Sequence, residues 1–415
     1  MSSQQLNNKM VDGVDMTRLG TAVQRASSLI AAGVVALSAG QALSDEVKAE
    51  EAPAPTPKFA TFSLLYKADL MGVVDGGDRQ AGRMLDALDV AADLDFETGF
   101  GIKGLTGRIE LMTTGGGEPN GFAGALQGVD NIEVGHRGTR LYQAFLEQSL
   151  ANGAFSVRVG FSDLNSEFYV NDSAGLLLAP PFGIGTEMAV TGQHGPSIFP
   201  STSFAVRLKY RFGEAGYVQA GVYNENSGDL GDPKGPDWRF RTGGLAIAEA
   251  GLTKGGKTAI GVWRYTRKVD QVYADLLTGA VGRSESQGAY LLIERDLCSG
   301  KDGVRATTGF VRAGLADSRT DVVDGGLQSG IKVSHVLASR PESMLSIGYS
   351  WAHFSRRFRS QNGPLASGEH LVEITWSDRI APHLTIQPDL QWIRRANPVS
   401  GRDVVVAGLR LVAGY

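Results

Sequence analysis

Apolar and polar residues alternate along many short stretches of this chain, and two stretches show the pattern most clearly. Residues 155–161 carry Phe and Val at odd positions and Ser, Arg and Gly at even positions. Residues 204–212 carry apolar or aromatic side chains at even positions, with Arg207, Lys209 and Arg211 on the opposite face. Two residues is the period of a β-strand, so each stretch predicts a strand with one apolar and one polar face.

The connection between these two strands is about 40 residues long, and a loop of that length inside a compact domain usually has a function. It is rich in Gly, Pro, Asn, Asp and Phe. In a soluble sandwich the apolar faces would form the core and the polar faces would meet bulk water. The ladder of cations and the long connection instead favour a barrel turned inside out, with lipid outside, water inside and the loop folded into the channel.

Alternating segments recur roughly every 20–25 residues from Phe59 to the last residue, separated by turn-forming residues. They predict an all-β fold, a transmembrane antiparallel β-barrel of about sixteen strands; fourteen and eighteen strands also fit the pattern. The first segment begins near Phe59, and the others cover 85–96, 102–113, 141–150, 154–161, 203–212, 216–223, 240–252, 257–268, 286–297, 304–315, 327–337, 344–354, 369–376, 383–392 and 404–415. Aromatic residues near strand ends, such as Trp376, Trp392 and Tyr415, would form interfacial girdles. The alternative is a soluble sandwich with aromatic residues in its core.

The first 44 residues resemble an export signal. Basic residues precede the apolar run at positions 29–37, and small residues follow it up to Ser44. Cleavage after Ser44 or after Ala42 fits the preference of signal peptidases, and Met10 or Met16 are alternative start sites. A short membrane anchor is the competing interpretation. We therefore expect a signal peptide at 1–44, an acidic Pro-rich leader at 45–58 and an outer-membrane barrel at 59–415.

Composition narrows the class of protein further. Only 42% of the 415 residues are hydrophobic, and the mature chain has no run of 18 apolar residues, which argues against membrane-spanning helices. Glycine is abundant, with 55 residues, as many turns require. The formal net charge of −4 offers no electrostatic footprint for nucleic acid. The single cysteine, Cys298, excludes an intrachain disulfide and a cysteine-cluster metal site.

Three regions of the chain resemble the carbohydrate-selective porins of the OprB family. They are residues 159–175 with 181–185, residues 204–212 with 217–224, and residues 386–393 with 397–398 and 408–411. The chain ends on Tyr415, where Phe is commoner in that family. The resemblance implies a sixteen-stranded barrel in the outer membrane of a Gram-negative bacterium. It also implies facilitated diffusion of monosaccharides such as glucose into the periplasm.

A sugar channel needs polar side chains that exchange hydrogen bonds with hydroxyl groups weakly enough to release the sugar. Strand parity and the long loop predict lumen or constriction residues, namely Arg158, Glu167, Asn171, Asp172, Arg207, Lys209, Arg211, Glu373 and Asp389. Parity adds further wall residues, namely Arg108, Glu110, Gln143, Glu147, Gln219, Arg264, Lys332, Gln387 and Gln391. The alternatives are a solvated charged wall without a binding site, and a loop folded outward.

Enzyme motifs are weak in this chain. The six histidines are scattered without HExxH spacing, and Ser162 lacks the second glycine of a nucleophile elbow. We therefore expect a channel and not an enzyme, with no cofactor and no metal. Its expected partners are a carbohydrate and outer-membrane lipid, with no nucleic acid, and a monomer and a homotrimer are both open. The competing functions are a general diffusion porin, an adhesin or membrane hydrolase, and a soluble secreted β-protein.

Overall fold

The computed structural model describes residues 58–192, 195–225, 238–241, 243–274, 278–299, 305–362, 366–395 and 403–415. The predicted signal peptide at 1–44 and the leader up to residue 57 lie outside the described residues, so both remain predictions.

Sixteen antiparallel strands of the described chain form one closed barrel, in which every strand pairs with its neighbours in sequence and the last pairs with the first. They are β1 Ala60–Asp75, β2 Gly82–Asp95, β3 Leu105–Gly116, β4 Gly138–Leu150, β5 Phe155–Ser162, β6 Ser203–Arg211, β7 Gly216–Asn224, β8 Gly244–Leu252, β9 Lys257–Tyr265, β10 Gln287–Ser299, β11 Ala306–Ala316, β12 Val323–Ser334, β13 Met344–Phe354, β14 Gly368–Ala381, β15 Leu384–Arg394 and β16 Val404–Gly414. The prediction of a closed antiparallel barrel of about sixteen strands is confirmed, and each predicted segment overlaps one strand.

Pairing between β1 and β16 closes the barrel. Leu70 is opposite Leu409, and the backbone N–H of Leu64 donates to the carbonyl of Tyr415 at 2.9 Å. Both termini of the barrel therefore lie at the same end, as an even number of strands requires. Closure leaves no sheet edge with unpaired backbone groups, which would each cost several kcal/mol in hydrocarbon.

The two faces of the sheet are reversed relative to those of a soluble protein. On β6, Val206 and Leu208 are 38% and 46% exposed, whereas Arg207 between them is 2% exposed. On β15, Leu390 is 47% exposed and Asp389 is 5% exposed. The apolar face therefore points outward and the polar face points into the barrel, which is the arrangement of a β-barrel surrounded by lipid.

Four short helices and four 3₁₀ turns lie in the described parts of the connections. The helices are α1 Phe96–Phe100, α2 Asn120–Ala123, α3 Thr186–Ala189 and α4 Arg356–Gln361, and the 3₁₀ turns are Ala151–Gly153, Leu164–Ser166, Asp172–Ala174 and Pro180–Phe182. A two-residue ribbon pairs Val269–Asp270 with Arg283–Ser284. No helix within the described residues has the length and apolar character needed to cross a membrane.

Three strands begin at least three residues earlier than hydrophobic alternation indicates. Strand β2 begins at Gly82, β4 at Gly138 and β12 at Val323, whereas the pattern predicted starts at residues 85, 141 and 327. Gly138 pairs with Thr114, and Gly325 pairs with His353. Glycine and polar residues at these strand ends hide the alternation, but their backbone groups continue the ladder.

The reversed faces predict how charged substitutions affect stability. Ile374 lies on the outer face of β14, opposite Ile347 and Leu390, and is 40% exposed. We expect Ile374→Arg to lower the free energy of unfolding by about 2–4 kcal/mol, because it places a charge near the middle of the hydrocarbon. Urea titration of the protein folded in phospholipid vesicles measures this change.

The matched control is Leu252→Arg at the last residue of β8, where the side chain is 60% exposed. Near the membrane interface the same substitution costs only about 0–1 kcal/mol. Equal costs at the two positions would contradict a lipid-facing outer surface.

Candidate functional site

The long segment between β5 and β6, residues 163–202, contacts side chains of strands on several sides of the barrel. Its backbone carbonyls accept hydrogen bonds from Gln219 on β7, Lys257 on β9, Lys332 on β12 and Gln387 on β15, at 2.6–3.0 Å. In sequence these strands lie far apart, and in the closed sheet they are separated by other strands. Their inner-face side chains nevertheless bind the same short piece of chain.

Apolar side chains of this segment pack on the inner faces of the strands in two clusters. In the first, Tyr169 stacks on Tyr290 of β10 with ring centroids 3.9 Å apart, and Phe168 packs edge-on against Tyr223 of β7. In the second, Phe182 packs edge-on against Phe310 of β11. Burial of large aromatic rings stabilises this contact in addition to the hydrogen bonds.

A second segment, residues 117–137 between β3 and β4, also contacts inner-face side chains. Gln391 on β15 donates to the carbonyl of Val129 at 2.8 Å. Arg410 on β16 donates to Asn131 at 2.7 Å and donates three hydrogen bonds to Asp69 on β1. Hydrophobic alternation did not single out this segment; its length, which exceeds that of a hairpin turn, was the only signal available.

Between these two segments and strands β1–β4 lies a cavity of about 510 Å³. Its lining includes five carboxylates and one ammonium group among the described residues, namely Asp89, Glu110, Asp130, Glu133, Asp163 and Lys67. Tyr142 and Gln127 add neutral hydrogen-bonding groups, and Phe199 adds a flat apolar surface. This lining can exchange hydrogen bonds with a polar, neutral molecule at many points, and it disfavours anions.

Burial changes the charge of the carboxyl groups that the two segments contribute to this cavity. It raises the pKa of Glu133 to about 7, against one opposing hydrogen bond from the backbone N–H of Asn120. Burial also raises the pKa of Asp163 to about 6, although Tyr142 donates a hydrogen bond to it at 2.8 Å. The pKa of Asp130 is raised by burial and by the neighbouring charge of Asp69. The cavity is therefore less negative below pH 6 than above pH 7.

A network of cations and carboxylates lies further along the wall toward the end that carries the termini. Arg158 contacts Glu147 at 2.7 Å and Glu167 at 2.9 Å. Arg207 contacts the same two carboxylates at 2.8 and 3.0 Å. Lys209 lies 3.9 Å from Glu167. Three cations and two carboxylates thus share one surface formed by β4, β5, β6 and the 163–202 segment.

The members of this network differ in their access to the lumen. The Arg207 side chain is only 2% exposed and also donates to Ser156 at 2.6 Å. It therefore binds Glu147 and Glu167 from the buried side of the network, away from the lumen. The Arg158 side chain is 14% exposed and stacks on the ring of Phe145 at 4.0 Å. Glu147 and Lys209 are each 18% exposed. These three side chains offer donors and acceptors to a passing molecule.

The other predicted site residues lie apart from this network. Asn171 and Asp172 belong to the 163–202 segment; the Asn171 side chain is buried, and the Asp172 carbonyl accepts from Lys332. Glu373 and Asp389 face inward on β14 and β15, and Glu373 binds backbone groups of the same segment. Arg211 is exposed at the end of β6.

The prediction from strand parity that Arg264 lies on the inner face is wrong. Arg264 shares the outer face of β9 with Ile260 and Val262, and its guanidinium pairs with Glu285 at 2.5 Å. Trp263 occupies the inner face instead, where it packs near Tyr265. The aromatic residues of β9 pack against the 163–202 segment and not against lipid. Their apolar character therefore assigns the inner and outer faces of this strand the wrong way round.

Comparison with known proteins agrees with the fold and the inward polar face. The profile of the family described as "Carbohydrate-selective porin, OprB family" matches residues 79–414. Porin B of Pseudomonas aeruginosa is 25% identical over 405 residues, which cover 84% of this chain and 86% of that protein.

Two solved structures show the same kind of barrel. The high-pH structure of Pseudomonas putida OprB superposes with a TM-score of 0.77 at 21% identity, over 86% of this chain and 94% of that one. An anion-selective porin from Comamonas acidovorans gives a TM-score of 0.52 at 10% identity, over 86% of this chain and 97% of that one. The family profile spans most of the chain, and the closed sixteen-stranded barrel matches it. This protein therefore belongs to the OprB family of carbohydrate-selective porins and is a transport channel of the outer membrane.

Proposed function

We propose that this porin passes monosaccharides such as glucose into the periplasm by facilitated diffusion. The observation that carries the proposal is the polar cavity of about 510 Å³ inside a closed barrel, followed along the same wall by the network of Arg158, Glu147 and Lys209. Sugars carry many hydroxyl groups, and paired donors and acceptors on the wall can replace their hydration step by step. Each contact is weak enough to allow release.

In this proposal the 163–202 segment forms the constriction. Its contacts with β7, β9, β12 and β15, and its two aromatic clusters, support a position across the barrel interior. The cavity is lined by β1–β4 and the charged network stands on β4–β6, so the open passage runs along β1–β6. Arg158, Glu147 and Lys209 then contact the sugar, and Arg207 positions Glu147 and Glu167. Glu373 and the contact between Lys332 and the Asp172 carbonyl hold the segment in place.

The proposal involves no covalent step, and the function is that of a channel without catalysis. Planar arginine side chains suit it because each can donate to two hydroxyl groups and stays charged. The apolar outer face supports direct contact with outer-membrane lipid.

The oligomeric state is a separate question, with a monomer and a homotrimer both open. Native mass spectrometry in detergent distinguishes the two.

Glucose titration of single-channel currents in planar bilayers tests the sugar preference. We expect glucose to reduce the current of the wild-type channel with a measurable half-blocking concentration. Arg158→Ala should raise that concentration several-fold, because a lost charge-assisted hydrogen bond costs about 1.5–3 kcal/mol before water replaces it.

The control is Arg379→Ala, which removes a cation at the end of β14 that pairs with Glu342 outside this network. The half-blocking concentration should stay at its wild-type value. A wild-type current that glucose does not reduce would favour a general diffusion porin over a sugar-selective one.

The raised pKa values of Glu133 and Asp163 predict a pH-dependent ion preference. As pH falls from 8 to 5, each carboxyl gains a proton on passing its pKa of about 7 or about 6, and the cavity loses negative charge. We expect the preference for K⁺ over Cl⁻, measured from reversal potentials in a KCl gradient, to decline over this range.

The double variant Glu133→Gln, Asp163→Asn should show a lower cation preference at pH 8 and a weaker dependence on pH. A pH dependence identical to that of the wild type would show that other groups are responsible.

A further inference from the structure

Inner-face glutamates of the barrel bind the backbone N–H groups of the 163–202 segment in a repeated way. Glu373 on β14 is fully buried and accepts from the backbone N–H groups of Leu178 and Ala179, at 2.5 and 2.9 Å, with one carboxylate oxygen for each. An irregular segment has no ladder to satisfy its N–H groups, so a carboxylate with two acceptor oxygens takes that place.

Two further glutamates repeat this contact on other strands. Glu294 on β10 accepts from the backbone N–H groups of Asp172 and Ser173, at 3.2 and 2.8 Å, and from the Ser173 hydroxyl at 2.6 Å. Glu249 on β8 is 3% exposed and accepts from the backbone N–H of Tyr169 at 2.9 Å. Its oxygens also accept from the hydroxyls of Tyr217 and Tyr290, both at 2.7 Å, and from the side-chain amide of Gln219 at 3.1 Å.

The 117–137 segment is attached by the same device. Glu369 on β14 accepts from the backbone N–H groups of Leu126 and Gln127, both at 2.9 Å. Two glycines of the wall, Gly314 on β11 and Gly326 on β12, leave space for the Glu187 side chain of the 163–202 segment. A Cβ at Gly314 would lie 1.9 Å from one carboxylate oxygen of Glu187, and a Cβ at Gly326 would lie 2.0 Å from the other.

We propose that Glu249, Glu294 and Glu373 are positioning residues that set the width of the passage by holding the 163–202 segment across the barrel. The three anchors follow one another along residues 169–179 and stand on three strands separated by others in the sheet. Three separate attachments restrain a segment in translation and in rotation. The inference rests on the proposed function in taking this segment as the constriction.

Single-channel recording of Glu249→Gln, Glu294→Gln and Glu373→Gln tests the inference. Glutamine keeps the shape but replaces one acceptor oxygen by an NH₂ donor that faces an N–H group. Each variant should show a second, larger conductance level, with about a ten-fold rise in the time spent there, equivalent to about 1.4 kcal/mol. The size of the largest polyethylene glycol that enters the channel should rise as well.

Gly314→Ala provides a second route to the same state without removing a charge. Its Cβ would displace Glu187, which is buried and bonded to the Tyr169 hydroxyl at 2.9 Å. It should also produce the larger conductance level. Glu342→Gln is the control, since Glu342 pairs with Arg379 outside the cavity and the charged network. Its conductance and polymer size limit should stay at their wild-type values.

Rescue by a covalent link separates positioning from general stability. The hydroxyl oxygens of Ser173 and Thr308 on β11 lie 2.9 Å apart, so cysteines at both positions can form a disulfide. In Glu294→Gln, with Cys298→Ser to remove the native thiol, oxidation of this pair should abolish the larger conductance level and reduction should restore it. The resistance of each variant to unfolding at room temperature in SDS, read from gel mobility before heating, confirms that the barrel is intact.

The inference is overturned if the folded glutamine variants keep the wild-type conductance and polymer size limit, or if oxidation leaves the larger level unchanged. These readouts use salt and polymer alone. A channel that widens as expected but ignores glucose would therefore sustain the positioning role while the sugar preference fails.

Discussion

The constraint on which this structure depends is that every backbone amide of a membrane-spanning strand must find a partner inside the sheet. Water is absent from the hydrocarbon, so an open edge would leave a row of unpaired groups. The pairing of β1 with β16 removes that edge. Once the sheet is closed, its two faces have different solvents, and the apolar side chains of Val206 and Leu390 face outward while Arg207 and Asp389 face inward.

The inner face of the closed sheet also binds irregular chain. Segments 117–137 and 163–202 bring backbone N–H and carbonyl groups to a region with restricted water, and such groups need partners. The wall supplies them by charge type: glutamates such as Glu373 accept from N–H groups, and amides or cations such as Gln387 and Lys332 donate to carbonyls. Part of the inner polar face thereby binds irregular chain, and in the proposed channel the side of β1–β6 remains for the passage.

The strands of this fold could be predicted from sequence because alternation is a local property of the chain. Parity also placed Arg158 and Arg207 on one face of neighbouring strands, where the structure brings them to the same two carboxylates. It failed at Arg264 because Trp263 uses the inner face of β9 to pack near the long segment. The partners of Glu373 and Glu249 could not be predicted, since each lies far away in sequence and carries no periodic signal. For the same reason the contribution of residues 117–137 to the cavity could not be predicted from the sequence.

The anchors of the 163–202 segment have a consequence for the order in which the molecule assembles. This segment leaves the chain after β5, but its attachment points belong to β8, β10 and β14, which follow much later. Its ion pairs with Arg158 and Arg207 involve only β5 and β6, but its attachment to Glu373 requires β14 to be in place. The full set of contacts can therefore form only when most of the sheet has been paired. In the proposed channel, the width of the passage is therefore fixed only once nearly the whole sheet has been built.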